Sequence, residues 1–356
     1  MRDKTTMEFY DRIKNIPPVN QGAREEAKRR WNEIAHPLHS LGKLEDYVVF
    51  LAGITGEFKV EKPKKALVVM CADNGVVEEG VTQTGQEVTA IVAENFLKEQ
   101  ATAAILCRET GADIFPVDIG MARDTSVPRR KVGYGTKNMA KEPAMTREQA
   151  IQAVLTGMDM VRELKEKGYG LIAVGEMGIG NTTTSSAVVS VLLEKSPKEV
   201  TGKGAGLTGE ALARKVKVIE EAIKKHKPEK EDPLEVLSLV GGFDLGGMAG
   251  LFLGGALYRV PIVIDGFISA AAALLAKTFA PECTDYMISS HVSKEPGTGM
   301  VLNALSMEAA LHCGMSLGEG TGAVCLFPLI DLAISVYRGM GTFQENSIEP
   351  YQELLL

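Results

Sequence analysis

Five short, almost uninterrupted apolar runs punctuate the chain, and each passes through a glycine or acidic turn into a longer stretch of helical character. They are ALVVMCADNG (66–75), DIFPVDIG (113–120), LIAVGEMG (171–178), VLSLVGGFD (236–244) and PIVIDGF (261–267). A strand wetted on one face alternates polar and apolar residues, whereas a continuous run is covered on both. Such strands separated by helices predict right-handed βαβ crossovers, and hence an α/β fold with a Rossmann-like parallel sheet flanked by helices. Helices are expected near 87–108, 147–167, 182–194, 209–226, 245–257, 268–279, 298–314 and 321–338.

The two ends of the chain differ from this middle. The first 60 residues read as helices separated by Pro17-Pro18 and by the turn HPLHSLG (36–42), and the segment from Val336 onward has no strand pattern. A small helical domain built from 1–60 plus 335–356, packed on an α/β catalytic body of 61–334, accounts for both. No fixed-period repeat or low-complexity linker divides the rest.

Composition excludes several function classes. A net charge of −7 argues against a sequence-independent grip on nucleic acid, which needs clustered Lys and Arg. The five cysteines form no CxxC pair, which argues against zinc and disulfides and for a reducing cytoplasm. The N-terminus, MRDKTTMEFYDRIKN, mixes both charge signs without an apolar signal segment. The stretch from Leu245, LGGMAGLFLGGALYRVPIVID, has GxxxG spacings at Gly246, Gly250 and Gly254, but Arg259 and Pro261 interrupt it. A tightly packed buried helix followed by a strand is expected there rather than a membrane span. The histidines, His36, His39, His226, His291 and His312, show no ligand spacing, and the one GxSxG string, GMSLG (314–318), follows none of the five apolar runs, as a nucleophile elbow would have to. Isolated histidines of this kind read as surface or structural residues.

In parallel sheets ligands gather at the carboxyl ends of the strands. Asp73, Asp118, Glu176, Asp244 and Asp265 each stand just past an apolar run. Any one reads as a turn former or helix cap; five at one sheet edge imply a polar site. The segment GEMGIGNTTT (175–184) has the glycines and the hydroxyl of a phosphate loop, yet Asn181 stands where the loop lysine belongs. TGKGAGL (201–207), LVGGFDLGGMAG (239–250), EPGTGM (295–300) and LGEGTGA (317–323) are also glycine-rich. Glycines let backbone N–H groups approach an anion at the start of a helix, so together these loops suggest a phosphorylated ligand. Tight βα turns and close-packed helices explain about half of them equally well. Glu176 and Glu319 lie inside two of these loops, where a carboxylate opposes a phosphate unless it serves a cationic or proton-donating part of the substrate. A nucleotide bearing a pyridinium ring satisfies both demands.

The strings VMCADNGVVEEGV, VGEMGIGNTTTSSAV, VGGFDLGGMAG, DGFISAAAAL, SSHVSKEPG and SLGEGTGA resemble, in order and over nearly the whole chain, the nicotinate-nucleotide–dimethylbenzimidazole phosphoribosyltransferase family of cobamide biosynthesis. The resemblance implies transfer of the phosphoribosyl group of nicotinate mononucleotide to a cobamide lower-ligand acceptor, giving an α-riboside 5′-phosphate and nicotinate. It implies a Rossmann-like sheet with a small helical domain, a dimer, and no metal or organic cofactor. By the same resemblance Glu319 is the catalytic base and Glu176 the carboxylate near the ribose. Gly178, Asn181, Thr182, Gly204, Gly266 and Ser293 contact the nucleotide, and Lys215 replaces the absent loop lysine at its phosphate. The acceptor pocket comprises Thr84, Ile91, Val92, Ile179 and Leu317.

The chain departs from the family pattern at three places. It has Asp73-Asn74-Gly75 for DHG, HPLHSLG for KPPGSLG, and the apolar Ile91 and Val92 where a glutamine follows VTA. A more apolar pocket leaves the acceptor open between dimethylbenzimidazole, a related base, and a phenol or p-cresol forming an O-glycoside. The assembly stays open between a homodimer and a heterodimer with a homologous subunit, in which this chain is catalytic or supporting. An ATP-binding P-loop protein is disfavoured by the missing lysine and the loop glutamate.

Overall fold

Strand β1 (Lys64–Ala72) shows why these runs become a buried sheet. Ala66, Val68 and Met70 point into one apolar core, and Leu67, Val69 and Cys71 into the other. Each fully buried large apolar side chain contributes about 1.5–3 kcal/mol, so neither face tolerates an alternating pattern. In this computed structural model, which describes residues 4–204 and 206–351, β1 is joined by β2 (Ala112–Gly120), β3 (Tyr169–Met177), β4 (Ile262–Ile264) and β5 (Met287–Ser289). Ala205 of the TGKGAGL loop and residues 1–3 and 352–356 of the expected terminal domain lie outside the described residues.

The five strands are parallel in the order β2-β1-β3-β4-β5. The chain steps from β1 to one side for β2 and to the other for β3. A crevice therefore opens at the carboxyl ends beside β1 and β3, the switch point of an open α/β sheet. Helices Arg147–Glu166, Asn181–Leu192, Phe243–Tyr258 and Phe267–Phe279 cover one face; Thr102–Thr110 and Thr321–Gly339 cover the other.

The apolar stretch that mimics a membrane span is the buried helix Phe243–Tyr258, followed by β4. Its Gly250 approaches helix Arg147–Glu166 so closely that an added Cβ would lie 2.8 Å from the carbonyl carbon of Val154 and 3.0 Å from Cα of Gly157. Small residues here serve helix contact within a protein core. Among the described residues one helix, Thr321–Gly339, is long and apolar enough to cross a membrane. Its Leu326, Phe327, Ile330 and Ile334 are buried against the sheet and the N-terminal helices.

At the N-terminal end, helices Gln21–Glu33 and Lys43–Thr55 share the second core with Thr321–Gly339 through Trp31, Tyr47, Val48 and Leu51. The segment after that helix returns to them: Ile34 pairs with Thr342, and Phe343 N donates to Glu33 O at 2.9 Å. Helix Lys4–Lys14 instead packs on Arg147–Glu166.

Three secondary-structure expectations are corrected. Residues 236–244 form no strand; Pro233–Val240 is a helix opened by Asp232, whose side chain accepts from Glu235 N at 3.1 Å. An apolar run buried all round carries no period, so a short buried helix and a strand look alike. The helix expected over 87–108 is two, Glu87–Leu97 and Thr102–Thr110, parted where Glu99 adopts a left-handed φ of 56°. The helix expected over 298–314 stops at Ala304, before Ser306 at φ 59°. Strand β5, only three residues long, carried too little pattern to be expected.

Candidate active site

The loops at the carboxyl edge enclose a cavity of about 310 Å³. It is bordered by the turns after β1, β3, β4 and β5 and by residues 316–319, and it brings together residues far apart in sequence.

One end is basic. Lys215 lies on helix Gly209–His226, one of whose faces is apolar, and its side chain runs inward until the residue is only 1% exposed. Its Nζ donates to Thr182 Oγ1 at 2.8 Å and lies 3.5 Å from Gly202 O. Burial pulls the lysine down to about 8, with Glu295 opposing the shift. Gly204 N donates to Glu295 Oε1 at 3.0 Å, tying the 201–207 loop to the turn after β5. Thr182 belongs to the first turn of helix Asn181–Leu192, whose positive end faces the cavity. A buried cation, a hydroxyl and a helix N-terminus in one place suit a phosphate.

The other end is acidic. Glu176, in β3, is buried against Glu319: its Oε1 accepts from Glu319 N at 3.4 Å. Gly175 permits that approach, since an added Cβ would stand 2.5 Å from Glu319 O and 2.9 Å from Gly320 N. Gly318, Glu319 and Gly320 are all left-handed, at φ 88°, 61° and 84°. The non-glycine residue in that region costs roughly 1–2 kcal/mol, a strain kept at the site by its neighbours. Glu319 Oε2 accepts from Ala103 N at the start of helix Thr102–Thr110, at 3.4 Å.

Asp265, after β4, is buried beneath these residues. It accepts from Gly320 N at 3.2 Å, Gly322 N at 2.7 Å and Ala323 N at 3.1 Å, and so anchors the start of helix Thr321–Gly339 immediately after Glu319. Asn181 donates to Glu176 Oε2 and lies beside Asp244, which is 0% exposed. Burial, reinforced by Asp244 and Asp265 and opposed by Asn181, pushes Glu176 up to about 8. Burial likewise raises Glu319 and takes Asp244 up to about 6.

Nearly all the expected site residues border this cavity: Glu319, Glu176, Gly178, Asn181, Thr182, Gly204, Lys215, Gly266, Ser293, Thr84, Val92, Ile179 and Leu317. Asn181 spans Glu176 and Asp244, so it supports the carboxylates as much as it lines the space. Ile91 is the exception, 57% exposed and outside the cavity. Each helical residue advances about 100°, so when Val92 on helix Glu87–Leu97 faces the cavity its neighbour turns away.

Of the five strand-end acids, two are structural. Asp118 forms a buried ion pair with Lys131 at 3.1 Å, and Asp73 accepts from Ala122 N at 2.7 Å. Asp244 heads a helix rather than ending a strand. Lys203 and Glu295, to which the sequence assigned no role, also border the cavity, as does His291, read from the sequence as a surface or structural residue. His291 and Glu295 stand in SSHVSKEPG, directly after β5, and a sixth apolar run recognised there would have brought them to the same edge. Among the described residues no group of three or more His, Cys, Asp or Glu side chains can hold a metal ion.

A parallel α/β sheet with a phosphate-type pole and a carboxylate pole in one switch-point cavity defines a class, the enzymes that handle a phosphorylated sugar or nucleotide. The profile of a phosphoribosyltransferase family matches residues 16–348. Nicotinate-nucleotide–dimethylbenzimidazole phosphoribosyltransferase of Ruminiclostridium cellulolyticum is 48% identical, with 98% of this chain and all of the relative aligned. The protein of that name from Clostridium acetobutylicum is 47% identical over 98% of this chain and all of its own. The crystal structure of CobT from Thermus thermophilus superposes with a TM-score of 0.87 at 38% identity, covering 93% of this chain and 100% of the other. The chain belongs to the nicotinate-nucleotide–dimethylbenzimidazole phosphoribosyltransferase family and is a pentosyltransferase enzyme.

Proposed function

We propose that this chain transfers the phosphoribosyl group of nicotinate mononucleotide to dimethylbenzimidazole or a related lower-ligand acceptor. The observation that carries this reading is one cavity with a buried lysine at one end and a pair of touching glutamates at the other. Lys215 and Thr182 hold the 5′-phosphate, beside Gly204. The acceptor's lone pair attacks C1′ on the face opposite nicotinate while the C1′–nitrogen bond breaks. Nicotinate leaves with the bonding pair, which quenches its pyridinium charge. The proton shed by the acceptor passes to Glu319 as general base. Glu176 faces the sugar, where the cationic nucleotide and the oxocarbenium-like transition state favour its ionised form.

Val92, Ile179 and Leu317 give the cavity apolar lining, with Thr84 also bordering it. This suits an aromatic ring and supports a phenol as the second acceptor class. Exposed Ile91, Leu97, Ile105 and Leu332 lie on helices near one another and support assembly into a dimer, with the same chain or with a homologue. The cysteines Cys71, Cys107 and Cys283, single and buried, go with a cytoplasmic location.

The test is purified chain with nicotinate mononucleotide and a panel of benzimidazoles and phenols, following nicotinate release, with light scattering on the same preparation for its assembly. Turnover with at least one acceptor is expected. Absence of turnover with every acceptor, restored by a co-purified homologue, would make this chain a supporting subunit.

A further inference from the structure

One titratable side chain of the cavity has no task in the reaction just described. His291 follows β5 and is only 3% exposed, yet it borders the cavity. Its proton can be located by counting donors. Ser290 Oγ has a single hydrogen, and its shortest contact is to Ile264 O, a pure acceptor, at 2.6 Å. The contact between Ser290 Oγ and His291 Nδ1, at 3.1 Å, is therefore donated by the ring, and Nδ1 carries the hydrogen. Asp265 Oδ1, 3.8 Å from Nδ1, favours the same tautomer. In its neutral form the imidazole then presents a lone pair at Nε2.

That nitrogen has no protein partner among the described residues, since both polar contacts of the ring are made at Nδ1. The Cε1–Nε2 edge faces Gly266: a Cβ added there would lie 3.5 Å from both ring atoms and 3.5 Å from Ser293 Cβ. The opposite side of the ring lies against Gly322, three residues beyond Glu319. Ser293 Oγ in turn accepts from the backbone of Glu295, which holds Gly204 of the basic pole. Nε2 thus opens between the phosphate end and the glutamate end.

A lone pair selects among the parts of a nucleotide. A phosphate dianion and the nicotinate carboxylate offer only acceptors and repel it, whereas the sugar lies between phosphate and C1′ and carries hydroxyl donors. We propose that His291 is a specificity-determining residue whose Nε2 accepts a hydrogen bond from a ribose hydroxyl of the bound nucleotide. The inference rests on the nucleotide reading above.

Nicotinate mononucleotide and its 2′-deoxy and 3′-deoxy analogues, assayed with wild-type chain and with His291→Leu and His291→Gln, test it. Turnover of the parent nucleotide by wild-type chain is the control: its absence breaks the function reading rather than this inference. In wild-type chain, loss of the contacted hydroxyl is expected to lower kcat/KM about tenfold or more, and in His291→Leu the same loss costs less than about threefold. His291→Gln, which keeps an acceptor oxygen, retains part of the discrimination. Equal losses in all three proteins for both analogues would overturn the proposal. Nitrogen NMR of histidine-labelled wild-type chain supplies a second readout that needs no variant. His291 should show a protonated Nδ1 and an Nε2 resonance that moves when the parent nucleotide binds, and an Nε2 resonance unmoved at saturating nucleotide counts against it.

Discussion

The two ends of the cavity are built from opposite charge by the same device, burial. At the basic end one lysine is withdrawn from water and pulled down to about 8; at the acidic end Glu176 is withdrawn and pushed up to about 8. Without substrate each charge costs free energy that solvent would otherwise supply. A zwitterionic nucleotide reverses both costs, bringing an anion to the lysine and a cation to the glutamates. The difference lies in what each end does after binding. In the proposed reaction the basic end grips a group that does not change, whereas the acidic end meets charge and protons that do.

That contrast orders the expected effects of substitution. Glu319→Gln keeps shape and removes the base, so kcat should fall by about 10²–10⁴-fold, with KM for the nucleotide within a few-fold. A near-normal kcat would take the base role away from Glu319. Lys215→Met should act the other way, raising KM for nicotinate mononucleotide roughly 10–100-fold with kcat little changed, because a charged contact to the phosphate is made equally in ground and transition states. If Lys215→Met lowers kcat and leaves KM alone, the lysine takes part in the reacting end and the division fails.

The smallest effect is on stability, and its sign is the informative part. Burial, helped by Asp244 and Asp265, lifts Glu176 to about 8 in the folded chain, while the unfolded chain releases that proton in the ordinary carboxylate range. The folded state is therefore favoured by this group at low pH, and the advantage is lost as pH rises from about 4.5 through about 8. Glu176→Gln cannot ionise, so substrate-free variant should melt roughly 2–6 °C above wild type at pH 9, with the gap closing at pH 5. Wild-type and variant melting curves with the same pH dependence would show that Glu176 is not held neutral.

How much of this was legible in the sequence differs between fold and site. Continuous apolar runs between helical stretches define a parallel sheet, because burial on both faces removes alternation. The same signal misleads at Leu234–Val240, where a helix is buried all round, and fades at Met287–Ser289, which is too short to have a pattern. GEMGIGNTTT and LGEGTGA, whose glycines mark close backbone approach, supply ten residues of the cavity, whereas Thr84, Val92, Lys215 and Ser293 were expected only from the family resemblance. Ile91 was misplaced because adjacent residues of a helix face different ways.

Local sequence thus determined which segments become strands, which loops bend sharply, and which side chains bring charge to the sheet's edge. Those properties depend on neighbours a few residues apart. Only the tertiary structure decided which charges meet. Glu176 touches a backbone 143 residues away, Lys215 reaches Thr182 from another helix, and Asp265 anchors a helix that begins 56 residues later. The tautomer of His291 likewise follows from a hydrogen bond between Ser290 and a neighbouring strand. Proton positions and shifted acidities depend on burial and distance in three dimensions, and neither is a property of the linear chain.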